Sequence, residues 1–194
     1  MTVSPLKLAF RPRHVLLFSG HMIDAPGRAQ PRFPAAAEPI AAARIEESLL
    51  SLGADGSDIA LTQGASGGDL LFAEACRRHG VPIQLLLPLP EPQFIAQSML
   101  PSADGERWRQ RYLDVKAALP WPPCVLPDEP GSDPFERCNL CLLDTALASG
   151  AEKVDLICLW NGGGGDGPGG TAHMVREVKR QNGNVIWLDT RTLW

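Results

Sequence analysis

The run Lys153–Arg180, KVDLICLWNGGGGDGPGGTAHMVREVKR, joins three unlike pieces. Lys153–Trp160 is an apolar run with the length and composition of a buried strand. Seven of the ten residues from Asn161 to Gly170 are glycine. The stretch from Thr171 then has helical character and is closed by Gly183. A buried strand, a glycine loop and a helix, in that order, form one unit of a parallel α/β sheet.

The same order recurs along the chain. His14–Ser19 reads as a strand closed by Gly20, and the loop HMIDAPGRAQPRFP follows. A helix is expected over AAAEPIAAARIEESLLSLG, with Ile40, Ile45, Leu49 and Leu52 at roughly helical spacing. Pro39 belongs in its first turn and Gly53 stops it. Asp58–Gln63 is a second strand, and GASGGDLLFAEACRRHG is a glycine turn opening into a helix that ends at Gly80. VPIQLLLPLP is a third strand. Beyond it lie a short helix in PQFIAQSML, a clearer one over Gly105–Leu119 and a short strand at Cys124–Leu126. Phe135–Ser149 reads as a helix capped by Ser132 or Asp133 and stopped by Gly150. Asn184–Asp189 is the last strand.

Strands this continuously apolar are covered on both faces. The expected fold is therefore α/β: a Rossmann-like three-layer sandwich with an open, mostly parallel sheet and helices on both faces. One domain over residues 1–194 is expected. An irregular helical insertion at about 90–130 would sit over the sheet's edge or its ligand face.

Bulk properties narrow the function. The chain has 194 residues, 44% of them hydrophobic, and a formal net charge of −4. That balance speaks against a sequence-independent nucleic-acid binder, which needs a basic face. No apolar run approaches the length of a membrane span, and the N-terminal residues lack the apolar run of a secretory leader. Five cysteines, an odd number, fall in segments expected to be buried, which fits a reducing, cytoplasmic setting. The Walker pattern is absent, and no convincing dinucleotide fingerprint follows the first strand. No cofactor and no metal site are expected.

Ligands of such sheets bind beyond the carboxyl ends of the strands. Two exit loops there are glycine-rich turns that open directly into helices. Glycine lets backbone approach a ligand, and a helix start presents N–H groups with a partial positive charge. Gly64, Ser66, Gly67 and Gly68 are expected to form one anion cradle. Gly167, Gly169, Gly170 and Thr171 are expected to form the other, with Asn161 and Gly162 leading into it. Two cradles on one edge suit a nucleotide. A tight turn without a ligand is the competing reading.

A strand followed by QGASGGDLLFAEA, with a later strand followed by GDGPGGTAHMV, resembles the SLOG superfamily. That Rossmann-like group includes the Lonely Guy phosphoribohydrolases, DprA-like proteins and bacterial nucleotide-sensing domains. The form of the motifs is closest to the bacterial signalling type, and the likeness runs from His14 to Asp189. It implies a nucleotide-like ligand, a homodimer, and ligand contacts at Gly64, Gly67, Gly68, Asp69, Gly169, Gly170 and Thr171. The phosphoribohydrolase signature continues with a second Gly-Thr and a nearby glutamate. Here Pro168-Gly169-Gly170 runs into Thr171-Ala172-His173-Met174, which departs from it.

Asp69, Glu74 and Asp166 are the candidate acid–base groups if an N-glycosidic bond is cleaved. Asp69 would bond a ribose hydroxyl or favour its own helix start. Glu74 would face the ligand or pair with Arg77 or Arg78. In the first exit loop Gly20, His21, Asp24 and Arg28 are candidates, with Arg28 as a phosphate clamp. His173 would flank the site. Cys138 and Cys141 lie mid-helix without a second pair, so they read as packing residues. Trp108, Arg109 and Arg111 form either a lid that stacks on a base or a solvated face. A partner-binding module is the third functional reading, cued by the proline-broken Trp108–Pro130 region.

Overall fold

The computed structural model describes residues 4–163 and 170–194. Its strands are β1 (His14–Gly20), β2 (Ile59–Thr62), β3 (Ile83–Leu87), β4 (Cys124–Val125), β5 (Lys153–Trp160) and β6 (Asn184–Asp189). They form one sheet in the order β4-β3-β2-β1-β5-β6. Every neighbouring pair is parallel. The helices are α1 (Glu38–Leu52), α2 (Gly68–Arg78), α3 (Glu91–Ser98), α4 (Gly105–Ala117), α5 (Pro134–Ala148), α6 (Thr171–Arg180) and α7 (Thr190–Leu193). This is the expected Rossmann-like three-layer α/β fold.

Each strand feeds two cores because successive side chains point to opposite faces. In β1, Leu16 and Phe18 join one core while Val15 and Leu17 join the other. The first core is closed by Ile45 and Leu49 of α1, Leu70 and Phe72 of α2, and Trp108 and Tyr112 of α4. The second is closed by Leu142 and Leu143 of α5 with Met174 and Val178 of α6. The chain winds outward from β1 to β4 with helices on the first face. It then returns to the far side of β1, with α5 and α6 on the second. The strand order therefore reverses between β1 and β5, and ligands of open sheets bind at such a point.

Local sequence sets the element ends. Gly53 caps α1 at φ 61°, and Pro39 occupies its first turn. Asp133, rather than Ser132, caps α5 by accepting from the Glu136 N–H at 2.8 Å. The phase of α1 differs from expectation. Its buried face is Ala41, Ile45, Ser48 and Leu49, and Ile40 is 41% exposed. Residues five apart sit well around a helix from each other, so Ile40 and Ile45 cannot share a face, whereas residues four apart can. The segment at about 90–130 supplies α3 and α4, which join β3 to β4, and Phe94, Trp108 and Tyr112 lie in the first core.

Two packing features have no counterpart in the sequence reading. Leu6, Leu8 and Phe10 pack on the second core, where Phe10 meets Trp121 with ring centroids 6.4 Å apart. Fully buried Asp58 accepts from Arg13 Nε at 2.9 Å, the His14 N–H at 3.1 Å and the Asp55 N–H at 3.0 Å. It thereby ties the entry of β1 to that of β2.

Substitution at the two isoleucines of α1 tests the helix phase. Ile45→Ala is expected to cost about 2–5 kcal/mol in urea unfolding, the range for emptying a fully buried site. Ile40→Ala should stay within about 0.5 kcal/mol of wild type. Equal losses would contradict the burial pattern.

Candidate functional site

A cleft of about 400 Å³ opens at the carboxyl ends of the strands, where the order reverses. Ser19, Gly20 and His21 reach it from the end of β1. Gln63, Ala65 and Asp69 come from the exit of β2 and the start of α2. Asp133, Phe135 and Asn139 come from the start of α5, and Trp160, Gly170 and Thr171 from the end of β5 and the start of α6. Arg32 comes from the loop after β1, and Gln97 and Ser98 from α3.

The walls are tied together by polar contacts between distant segments. Ser19 Oγ donates to Thr171 Oγ1 at 3.1 Å, joining β1 to the start of α6. Gln63 Nε2 donates to Asn139 Oδ1 at 2.9 Å, joining β2 to α5. The Asn161 N–H donates to His21 Nε2 at 3.2 Å, joining the exits of β5 and β1. With Nε2 accepting, the neutral ring carries its proton on Nδ1. Burial, with the charge of Arg32 second, lowers the His21 pKa to about 4, so the ring is uncharged at neutral pH.

The first expected cradle is built differently from a phosphate site. Gly67 has φ +83°, and a Cβ there would sit 2.6 Å from the Ile23 nitrogen and 3.0 Å from the His21 oxygen. A Cβ on Gly68 would meet the Phe18 ring at 2.7 Å. These glycines let the exit loops of β1 and β2 press together, and the Gly68 N–H donates to His21 O at 3.2 Å. The loop's own donors are also engaged. Asp69 Oδ2 accepts from the Gly64 and Ala65 N–H groups at 3.1 and 3.3 Å. The Ser66 N–H goes to Ser98 O at 2.9 Å, and its hydroxyl to that of Ser102 at 2.6 Å. Of the N–H groups in this loop, Asp69 thus takes those of Gly64 and Ala65, while Ser66 and Gly68 spend theirs on Ser98 O and His21 O.

Asp69 itself lines the cleft. Burial raises its pKa to about 6, against the N–H groups of Ala65 and Gly64 that favour the charged form. At pH 6 such an acid holds and releases a proton equally well, which suits it to acid–base work.

Other candidates fall elsewhere. Glu74 pairs with Arg111 through contacts of 2.7 and 2.6 Å, not with Arg77 or Arg78, and lies away from the cleft. Arg111 also bonds Glu38 at 2.6 Å and lies 4.1 Å over the Trp108 ring, and Trp108 is buried. Arg109 pairs with Glu106 on its own helix. Trp108 and Arg111 thus belong to a packed charge network, while Arg109 stays on the solvated face of α4. Asp24 Oδ2 accepts from the Arg32 and Phe33 N–H groups, both at 2.9 Å, so it closes its own loop. Arg28 Nε donates to Gln30 O at 3.1 Å and is absent from the cleft wall, where Arg32 stands instead. His173 Nδ1 lies 3.2 Å from Glu136 Oε1. Cys138 and Cys141 are buried against the second core, and burial raises both thiols.

The glycine stretch is anchored where it begins. Trp160 Nε1 donates to Gly163 O at 2.8 Å, and the Gly163 N–H to Asn161 Oδ1 at 3.0 Å. Gly162, at φ +77°, leaves room for Trp187 and Arg191, which a Cβ would meet at 3.2 and 3.5 Å. Gly170 caps α6. Asp166, Gly167 and Gly169 lie outside the described residues. Among the described residues, no group of three or more His, Cys, Asp or Glu is arranged to hold a metal.

Sequence reading missed Arg32, Gln63, Phe135, Asn139 and Trp160. Gln63 and Trp160 carried a usable signal, since each ends an apolar strand at the ligand edge. Asn139, like Thr145, is a polar residue on the mostly apolar buried face of α5.

Asp69 and His21 give opposite pH dependences of stability. Asp69, raised from 3.8 to about 6, contributes stability that is present below pH 3.8 and lost as pH rises through 6. His21, lowered from 6.5 to about 4, contributes stability that is present above pH 6.5 and lost as pH falls through 4. Relative to wild type, Asp69→Asn should therefore make stability rise more steeply from pH 4 to 6, and His21→Gln should make it fall. Each change is on the order of 1–3 kcal/mol across the window. Urea unfolding at several pH values measures this, and parallel profiles for all three proteins would contradict it.

No family model matches the chain. No curated protein matches it. Among solved structures, the X-ray structure of TM1055, a structural-genomics target, is similar to it over 89% of this chain and 72% of that one. The two share 16% sequence identity, with a TM-score of 0.43.

Proposed function

We propose that the chain binds a nucleotide or a nucleotide-derived small molecule in the cleft between the exits of β1 and β5, as a sensor or carrier domain of the SLOG type. The observation that carries this reading is the composition of the cleft at the point of strand reversal. Phe135 and Trp160 offer aromatic surface for a base, Asp69 and Gln63 offer polar contacts for a base edge or a sugar, and Arg32 offers a cation. Its volume, about 400 Å³, suits a small ligand. A homodimer, implied by the resemblance, belongs to the same proposal. So does a cytoplasmic setting, which five free thiols fit.

A second reading, cleavage of an N-glycosidic bond, is favoured by one observation. Asp69 is a cleft acid with a pKa of about 6, able to protonate a leaving base. Glu74, tied to Arg111, has no part in it. For the partner-binding reading, cued by the Trp108–Pro130 region, Trp108 is buried in the core.

Thermal-shift measurement against nucleoside monophosphates, cyclic nucleotides and ADP-ribose derivatives tests the binding reading. A ligand at a hundred times its Kd adds about 2.7 kcal/mol, which raises Tm by several degrees. Absence of any shift at millimolar ligand would overturn it. Chromatography for free base then separates binding from cleavage, and under the cleavage reading Asp69→Asn should abolish base release.

A further inference from the structure

We propose that the outer edge of β6 is the interface between two copies of this chain, where β6 pairs antiparallel with the partner's β6 about a two-fold axis through Trp187. The interface is separate from the cleft and does not depend on what the cleft binds.

The first observation is the contrast between the two edges of the sheet. Among the described residues the sheet ends at β4 on one side and at β6 on the other. An edge strand presents unpaired N–H and C=O groups, and short length, proline and lysine keep such an edge from pairing with another chain. β4 has two residues, follows Pro122 and Pro123, and has Pro127 two positions beyond its end. β6 has six residues and contains neither proline nor lysine. Its middle, Val185–Leu188, is apolar, and none of its residues is buried. Trp187 is 47% exposed. A strand of this kind is a template for a further strand.

The second observation is that β6 is complementary to itself. A two-fold axis normal to the sheet keeps every side chain on its own face, so residues of like parity meet across it. With the axis at Trp187, that ring meets the partner's Trp187, and Ile186 meets the partner's Leu188. Aromatic and aliphatic side chains opposed in this way stabilise an antiparallel pair. The one ionisable side chain of β6, Asp189, lies at its end and is paired within the chain to Arg191 at 2.5 Å. The pairing therefore buries no lone charge.

The third observation fixes the axis by charge. A standard interface uses roughly 20–30 residues a side, more than one strand supplies, so the helices beside β6 must take part. Arg44 and Glu47 of α1 line a surface groove of about 360 Å³ together with Trp187 and Leu188. A two-fold axis at Trp187 sets α1 antiparallel to the partner's α1. Arg44 then faces the partner's Glu47, and Glu47 faces the partner's Arg44. Both side chains are exposed, at 50% and 60%, and so are available for that exchange.

Sedimentation equilibrium of the whole protein tests this. Wild type should be a dimer at micromolar concentration. Trp187→Lys sets two ammonium groups at the axis and should raise the dimer dissociation constant at least about thirtyfold, the scale of an interface tryptophan. Arg44→Glu and Glu47→Arg should each raise it about fivefold, through two like-charge contacts per dimer. The double variant carrying both reversals should return to within about twofold of wild type. Both positions are exposed, so these three variants should keep the wild-type Tm, whereas a role inside one chain would move Tm and leave the dissociation constant unchanged. A wild type that stays monomeric at high micromolar concentration would overturn the proposal. So would a dimer indifferent to Trp187→Lys and to both single reversals, because its interface would lie on another surface. Nucleotide binding in the cleft is read separately by thermal shift, so failure of one leaves the other standing.

Discussion

The geometry of the cleft depends on one buried carboxylate. Asp69 Oδ2 gathers the N–H groups of Gly64 and Ala65 into the turn that opens α2. That turn brings Gly67 and Gly68 against the backbone of the β1 exit, at a separation only glycine allows. The β1 exit then carries His21, which receives the Asn161 N–H and so sets where the glycine stretch leaves β5. Three strand exits are in this way fixed relative to one another through a chain of short contacts. The cleft is the space left between them.

Electrostatics gives this space a direction. Arg32 and the start of α6 both line it, and so does Asp69, whose burial keeps it protonated to a higher pH than an ordinary aspartate. His21 contributes no charge at neutral pH, so it does not offset the acids. A ligand that is anionic at one end and hydrogen-bonding at the other fits this polarity. A nucleotide has that form.

Much of the fold was legible in the sequence because it rests on local signals. Apolar runs of strand length, closed by glycine or proline, marked the strands, and Gly53, Gly80 and Gly150 marked helix ends with positive φ. The cleft was legible only by its edge of the sheet. Which arginine enters it is decided by the Asp24 clamp on Arg32, a contact between loop residues that no periodicity encodes. The fate of Glu74 is decided by Arg111, thirty-seven residues away, and the pairing of Gln63 by Asn139, seventy-six away. At Gly67 and Gly68 the missing Cβ makes room for the exit loop of β1 and for Phe18. Composition alone cannot separate this use from room for a ligand, because both need backbone without a Cβ.

A crystal structure of the protein soaked with AMP tests the central claim most directly. The account predicts density for the nucleotide between the exits of β1 and β5, with its base against Phe135 or Trp160. Nucleotide density at any other place on the molecule, with this cleft filled only by solvent, would contradict it.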